Sequence, residues 1–134
     1  LAVEVAGDGR PLQVAVTGEF GELPSHVTTP LALVLNELAA NAVEHGTAPG
    51  GGCVGLHTDR ESTPAGTVLV VSVTDGGPAA PDGWVPGESP RAGEGSGLGL
   101  RIVHSLVEGD LRGTLRWERS DDGGTRVVLR LPLT

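Results

Sequence analysis

The sequence predicts an α+β two-layer sandwich, a mixed sheet carrying its helices on one face. The order of the predicted elements carries this expectation: β-β-α-β-β-loop-α-β-β, with strands in adjacent pairs rather than alternating with helices. A second observation is the apolar stripe of helical period on the long helical stretch, which needs a sheet face to cover it. A length of 134 residues is that of one domain with a real core, taken as residues 1–134. Because the chain begins at Leu1 rather than Met, we expect it to be a C-terminal piece of a longer protein.

The elements follow in order. Ala2–Ala6 and the alternating Gln13–Thr17 read as strands, with Asp8, Gly9 and Pro11 supplying the turn between them. A long helix comes next, with Thr28 and Thr29 as capping hydroxyls and Pro30 at its first position. Its apolar positions are Leu31, Val34, Leu35, Leu38 and Ala42, and Gly46 is its expected stop. After the turn Gly50-Gly51-Gly52, Cys53–Thr58 and Thr67–Thr74 read as strands. The run Val68–Val73 is nearly continuous in apolar residues and predicts a central, well-buried strand. Residues 76–97 form a long loop rich in Gly and Pro, of the length that usually has a function. A second helix starts around Gly97–Gly99 and runs through Leu100, Val103, Leu106 and Val107. Strands Thr114–Glu118 and Thr125–Leu131 close the domain around the turn Asp121-Asp122-Gly123-Gly124.

Composition excludes several functions. The net charge of −8 and the lack of a basic block argue against nucleic-acid binding. No apolar run approaches the roughly 18 residues that span a bilayer, so no membrane contact is expected of this domain. The single cysteine, Cys53, permits no internal disulfide and no zinc cluster, and a cytoplasmic location is the natural expectation. All nine basic residues are arginine. The absence of lysine removes the P-loop ammonium, the strand lysine of eukaryotic-type protein kinases and Schiff-base chemistry. Any phosphate bound here must be held by something else.

Three elements could do that work. Glu37, Asn41 and His45 recur every four residues along the long helix, with Asn36 and Glu44 alongside. At ~100° per residue, Glu37 and Asn41 fall at the edge of the apolar stripe. An asparagine oxygen there is an acceptable Mg²⁺ ligand where phosphate and water supply the rest. On spacing alone, a solvated helix edge is the plainer reading. Asp75-Gly76-Gly77 follows the most apolar strand. A carboxylate there can accept a hydrogen bond from an exocyclic amine while the glycines let a flat ring approach. Taken singly, it is also an ordinary turn. Finally, Gly93, Gly95, Gly97 and Gly99 alternate with Glu94, Ser96 and Leu98 before the second helix. Such a segment can wrap an anion and present helix N–H groups to it without a basic side chain. It does not follow the first strand of a βαβ unit, so it is no dinucleotide fingerprint.

In this order the three elements resemble the N box and the two glycine boxes of the GHKL superfamily of ATPases and kinases, over essentially the whole chain. Residues 33–46, Leu-Val-Leu-Asn-Glu-Leu-Ala-Ala-Asn-Ala-Val-Glu-His-Gly, are similar to the N box of HWE-like sensor histidine kinases. So are Gly97–Val103, Leu111–Leu115 and Gly123-Gly124-Thr125, while residues 18–24 resemble the run before the N box in actinobacterial members.

The resemblance implies the Bergerat ATP-binding fold, with a mostly antiparallel sheet, and the catalytic domain of a two-component sensor kinase. That domain would bind Mg²⁺ and ATP and pass the γ-phosphoryl group to a histidine on a separate dimerisation domain of the same protein, upstream of a response regulator. Alone it would not autophosphorylate. Asn41 would hold Mg²⁺, Asp75 would bind the adenine amine with Gly77 beside it, and Thr125 would complete the adenine pocket. Gly95, Ser96, Gly97, Leu98 and Gly99 would form the phosphate loop, with Glu44 and His45 ending the N box. Glu37 matches the carboxylate that orients the attacking water in superfamily hydrolases. Arg91 is the candidate γ-phosphate contact, with Arg101 second.

Three positions depart from the family pattern. Ala79 replaces the last glycine of the first glycine box, Glu44 and His45 replace the usual lysine or tyrosine, and the lid has no lysine. These bear on lid hinging and nucleotide affinity. Two other functions fit the same residues: a stand-alone serine kinase that sequesters a sigma factor, and a degenerate module that binds nucleotide or partner without turnover. His26, His57 and His104 have no metal spacing and read as structural or exposed. Trp117 reads as core or partner-facing.

Overall fold

The computed structural model describes residues 2–4, 11–45, 52–75, 98–119 and 124–133. Six strands form one sheet: β1 (Ala2–Glu4), β2 (Pro11–Thr17), β3 (Gly52–Thr63), β4 (Gly66–Asp75), β5 (Thr114–Arg119) and β6 (Thr125–Pro132), in the spatial order β1-β2-β3-β4-β6-β5. Every neighbouring pair is antiparallel except β2 and β3. A parallel pair needs a long crossover, and helix α1 (Ser25–His45) supplies it. The mixed, mostly antiparallel sheet of the sequence-based expectation is the one observed.

The helices share one core with one sheet face. From α1 come Val27, Leu31, Val34 and Leu38; from β4, Leu69, Val71 and Val73; from β6, Val127, Leu129 and Leu131, all buried in a single cluster. Helix α2 (Leu98–Ser105) adds Leu100 and Val103. Burying a side chain of this size contributes about 1.5–3 kcal/mol, so this shared face carries the fold. Strand β4 is central, as its apolar run predicts, but only alternate residues are fully buried. Val68, Val70, Ser72 and Thr74 lie half-buried on the other face. The alternation arises because the strand pairs antiparallel on both sides, in a sheet covered by helices on one face.

Several boundaries also differ from expectation. Strand β2 opens at Pro11, read as a turn residue, because residues 11–13 pair with Ala2–Glu4 of β1. Helix α1 begins at Ser25, so Pro30 lies inside it rather than at its start, and neither Thr28 nor Thr29 precedes it as a cap. The Thr28 hydroxyl instead donates to the Pro24 carbonyl at 3.2 Å, beside the Val27 and Thr28 amides at 2.9 and 3.2 Å. As the sixth residue, Pro30 lies past the first turn and has no amide to offer the His26 carbonyl, so that helical hydrogen bond is absent. Strand β3 runs to Thr63, well beyond Thr58, because Asp59–Thr63 pair in register with Gly66–Val70 despite their polarity. The second helix continues into a π-helical turn, Leu106–Asp110, closed by the Leu111 amide on the Leu106 carbonyl at 2.8 Å. The wider turn keeps Val107 and Leu111 facing the core, and Arg112 leaves it in the left-handed region at φ 52°.

Arg60 ties the run before α1 to the sheet: its Nη2 donates to the carbonyls of Phe20 and Glu22 at 2.6 and 2.7 Å. On the open face, Arg130 pairs with Glu61 at 2.6 Å, and that hydrogen bond holds the guanidinium pKa above its ordinary value. Trp117 is a core residue. His26 and His57 are exposed, His57 sharing a 2.6 Å hydrogen bond with Thr17, and half-buried His104 faces Glu108 at 3.7 Å. Among the described residues no helix is long and apolar enough to cross a membrane.

Candidate functional site

The sheet register decides which sequence-predicted residues meet. Asp75 is the last residue of β4, and the next strand in space, β6, starts beside it at Thr125. Asp75 continues the core-facing row of Leu69, Val71 and Val73, which turns its carboxyl inward, only 8% exposed. The Thr125 amide donates to Asp75 Oδ1 at 3.4 Å, and Thr125 is itself buried. A buried carboxylate is costly unless hydrogen-bonded, so one at a strand end, below an apolar core, suits a site that recognises a donor group.

Glycine makes the approach of the two strands possible. A Cβ on Gly124 would collide with the Asp75 carbonyl oxygen and lie 3.3 Å from Asp75 Oδ1. Sequence reading treats Gly124 as a turn residue and part of a family motif. Its steric role appears only when residues distant in sequence are brought together.

The second group of residues lies on the helices. Glu37 and Asn41 are half-buried along α1, at the edge of its apolar stripe, as their spacing predicts, while Asn36 is exposed. Helix α2 packs against α1. There the Glu37 carboxylate rests against Gly99 in the first turn of α2, where any Cβ would strike Glu37 Oε2. The carboxylate thus lies beside a helix start, where the dipole favours negative charge. Arg101, on the same helix, is exposed.

Gly77, Arg91, Gly95, Ser96 and Gly97 lie outside the described residues. Leu98 belongs to the start of α2, and Glu44 and His45 to the end of α1, but their side chains lie outside the described set. Two surface cavities, of about 390 and 440 Å³, sit at the opposite end of β6 around Pro132 and Leu133, away from Asp75 and Thr125.

Among the described residues no cluster of three or more His, Cys, Asp or Glu side chains could hold a cation. An amide oxygen such as that of Asn41, half-buried on α1, fits Mg²⁺ when phosphate and water complete the ion's shell.

A buried carboxylate at a strand end, with a half-buried asparagine and a glycine in a helix's first turn in the helical layer, is compatible with the nucleotide-binding class of α+β sandwich that the sequence resembles. The family described as histidine kinase-, DNA gyrase B-, and HSP90-like ATPase matches residues 26–134, and the chain belongs to it. It is 35% identical over 132 residues to the sensor histidine kinase PdtaS of Mycobacterium tuberculosis, across 97% of this chain and 24% of PdtaS. PdtaS of Mycolicibacterium smegmatis matches equally, at 35% over the same 132 residues, so the chain spans about a quarter of these relatives. Among solved structures, the histidine kinase domain of the Erythrobacter litoralis EL346 blue-light activated histidine kinase superposes with a TM-score of 0.69 at 29% identity. The match covers 95% of this chain and 57% of that one. The catalytic domain of histidine kinase ThkA, nucleotide-free, shares the fold with a TM-score of 0.70 at 22% identity, over 92% of this chain and 80% of that one.

Proposed function

We propose that this domain binds Mg²⁺ and ATP and donates the γ-phosphoryl group to a histidine on a separate dimerisation domain of its parent protein. The observation that carries the reading is the buried Asp75 carboxylate, held at the end of β4 by the Thr125 amide. That geometry suits an amino group on a flat ring. The likeness to PdtaS, a sensor histidine kinase, supports a histidine as acceptor and a response regulator downstream.

In this reading Asp75 accepts from the exocyclic amine of adenine, which guanine lacks at that position. Asn41 offers its oxygen to Mg²⁺, which when bound neutralises charge on the phosphate oxygens. The amides entering α2, with Gly95, Ser96, Gly97, Leu98 and Gly99, hold the phosphates in place of a lysine. Glu37 stands beside that entrance, and Arg91, with Arg101 second, meets the γ-phosphate. Transfer breaks the bond from γ-phosphorus to the bridging oxygen and forms one to an imidazole nitrogen. Positioning and charge neutralisation suffice for this chemistry, and no protein nucleophile is required on this chain.

The test is calorimetric titration of the chain with Mg·ATP and Mg·GTP, followed by mixing with the parent's dimerisation domain and ATP labelled at the γ-phosphorus. Preferential ATP binding and label on a histidine of the added domain are expected. Equal competition by GTP would count against the site. Binding without transfer would favour the degenerate, non-catalytic module, and label on serine of a partner would favour the anti-sigma type of kinase.

A further inference from the structure

We infer that the outer edge of β5 pairs with the β5 edge of a second copy of this chain, joining two sheets antiparallel about a two-fold axis at Trp117. Nucleotide binding plays no part in this inference. Strand β5 ends the sheet order, and among the described residues only β6 pairs with it. Its other side presents backbone N–H and C=O groups that no described strand takes up, the ordinary template for a further strand. The opposite edge of the sheet, β1, is three residues long against six in β5.

The side chains select the partner. Register with β6 puts Thr114, Arg116 and Glu118 on the open sheet face, in line with Arg130, Val128 and Arg126. Leu115, Trp117 and Arg119 fall on the helix-covered side. A two-fold axis perpendicular to the sheet keeps the faces in common, so residues of the same face oppose each other across the new pair. Three registers centre on Arg116, Trp117 or Glu118. The first sets two arginines directly opposite and the last two glutamates, both unfavourable. Centred on Trp117, Arg116 of each copy faces Glu118 of the other, and symmetry forms two opposite-charge pairs at once. Leu115 then lies across from Arg119, whose aliphatic stem can cover it.

Both charged groups have capacity left for this contact. Arg116 is exposed and makes no ion pair among the described residues. Glu118 lies 4.0 Å from Arg126, too long for a direct hydrogen bond. Pairing two β5 edges uses them up and leaves only the short β1 edges outside, so association stops at two copies. Six residues per copy are far fewer than the roughly 20–30 a side of a standard interface. The dimer is therefore weak, with a dissociation constant on the order of 0.1–1 mM.

The experiment is analytical ultracentrifugation from about 10 µM to about 1 mM chain at about 0.15 M salt, where repulsion between like-charged copies is screened beyond about 8 Å. It compares the wild type, Arg116→Glu, Glu118→Arg and an equimolar mixture of the two variants. Reversible dimerisation of the wild type is expected. Each variant alone sets like charges opposite each other twice and should dimerise at least about 10-fold more weakly. In the mixture every pair is again of opposite sign, so heterodimers should form about as tightly as the wild-type dimer. A general charge effect does not imitate this pattern, because the two reversals move the net charge of −8 in opposite directions. A wild type that stays monomeric at the highest concentration overturns the inference. So do folded variants that dimerise as well as the wild type, or a mixture that shows no recovery. Melting temperatures check folding. If Glu118→Arg does not fold, having lost its contact with Arg126, hydrogen exchange on the wild type decides. Amides of residues 114–119 that do not bond to β6 must gain protection as concentration rises, while those of β1 do not; concentration-independent exchange in β5 overturns the inference.

Discussion

The two halves of the proposed site, one at the strand ends assigned to the base and one on the helices assigned to the phosphates, are built on different principles. At the base half, Asp75, Gly124 and Thr125 are all buried, on the two strands that share the middle of the sheet, and their interactions involve main chain. At the phosphate half, Glu37 and Asn41 are half-buried side chains on a helix, and Glu37 meets Gly99 through a rotatable carboxylate. The first half is held by sheet hydrogen bonds and core packing; the second depends on rotamers and on how two helices sit. Under the proposed function, a rigid base pocket with an adjustable phosphate pocket suits a domain that must close on a triphosphate and open after transfer.

The sharpest way to break this comparison is at Asn41. Asn41→Ala should reduce metal-dependent phosphoryl transfer by roughly 100-fold or more, since a bound cation supplies several kcal/mol of charge stabilisation. Adenosine binding should stay within about twofold. Labelled-phosphate transfer and calorimetry with adenosine read the two halves separately. Parallel loss of both would mean that the halves are one unit.

Asp75→Asn addresses the other half. Replacing the buried carboxylate should weaken every adenine ligand by about 1–3 kcal/mol, adenosine and ATP alike. A deficit confined to ATP would place Asp75 at the phosphates instead. Stability is a necessary control, because Asp75 sits within the packed end of β4 and Gly124 lies close against its backbone.

Gly109→Ala should touch neither half. It lies in the π-helical turn with open space around its Cα, and it lacks the positive φ that only glycine tolerates. Removing glycine's freedom from the unfolded chain should raise stability by about 0.4–1 kcal/mol, seen as a higher melting temperature with unchanged nucleotide affinity. A loss of affinity would show that the π-helical turn is coupled to the entrance of α2.

The two halves are not equally legible in the sequence. Element order, the core stripes of α1 and β4 and the half-buried edge holding Glu37 and Asn41 follow from periodicity, a local property. Asp75 stands out because an acidic residue ends an apolar run. The length of β3 is hidden because Asp59–Thr63 are polar and look like loop, yet ladder pairing with β4 holds them extended. The start of α1 is misread because Pro30 with two preceding threonines imitates a cap, whereas the chain turns into the helix from Pro24. The pairings of Gly124 with Asp75 and Glu37 with Gly99 join residues 49 and 62 apart in the sequence, and no local pattern carries such distances.

The smallest effect is the most discriminating. Glu37 places a negative charge beside the helix start that the phosphates would use, so the two anions compete for one dipole. Glu37→Gln keeps the shape and removes the charge. It should tighten ADP by about 0.3–1 kcal/mol at low ionic strength and leave adenosine unchanged. Because Glu37 is only half-buried, the gain should shrink as salt approaches 1 M, where the screening length falls to about 3 Å. Titrations of ADP and adenosine at two ionic strengths measure it. Weaker ADP binding in Glu37→Gln would mean that the carboxylate supports the phosphate loop instead of opposing its ligand, and the adjustable half would then be as preorganised as the base pocket.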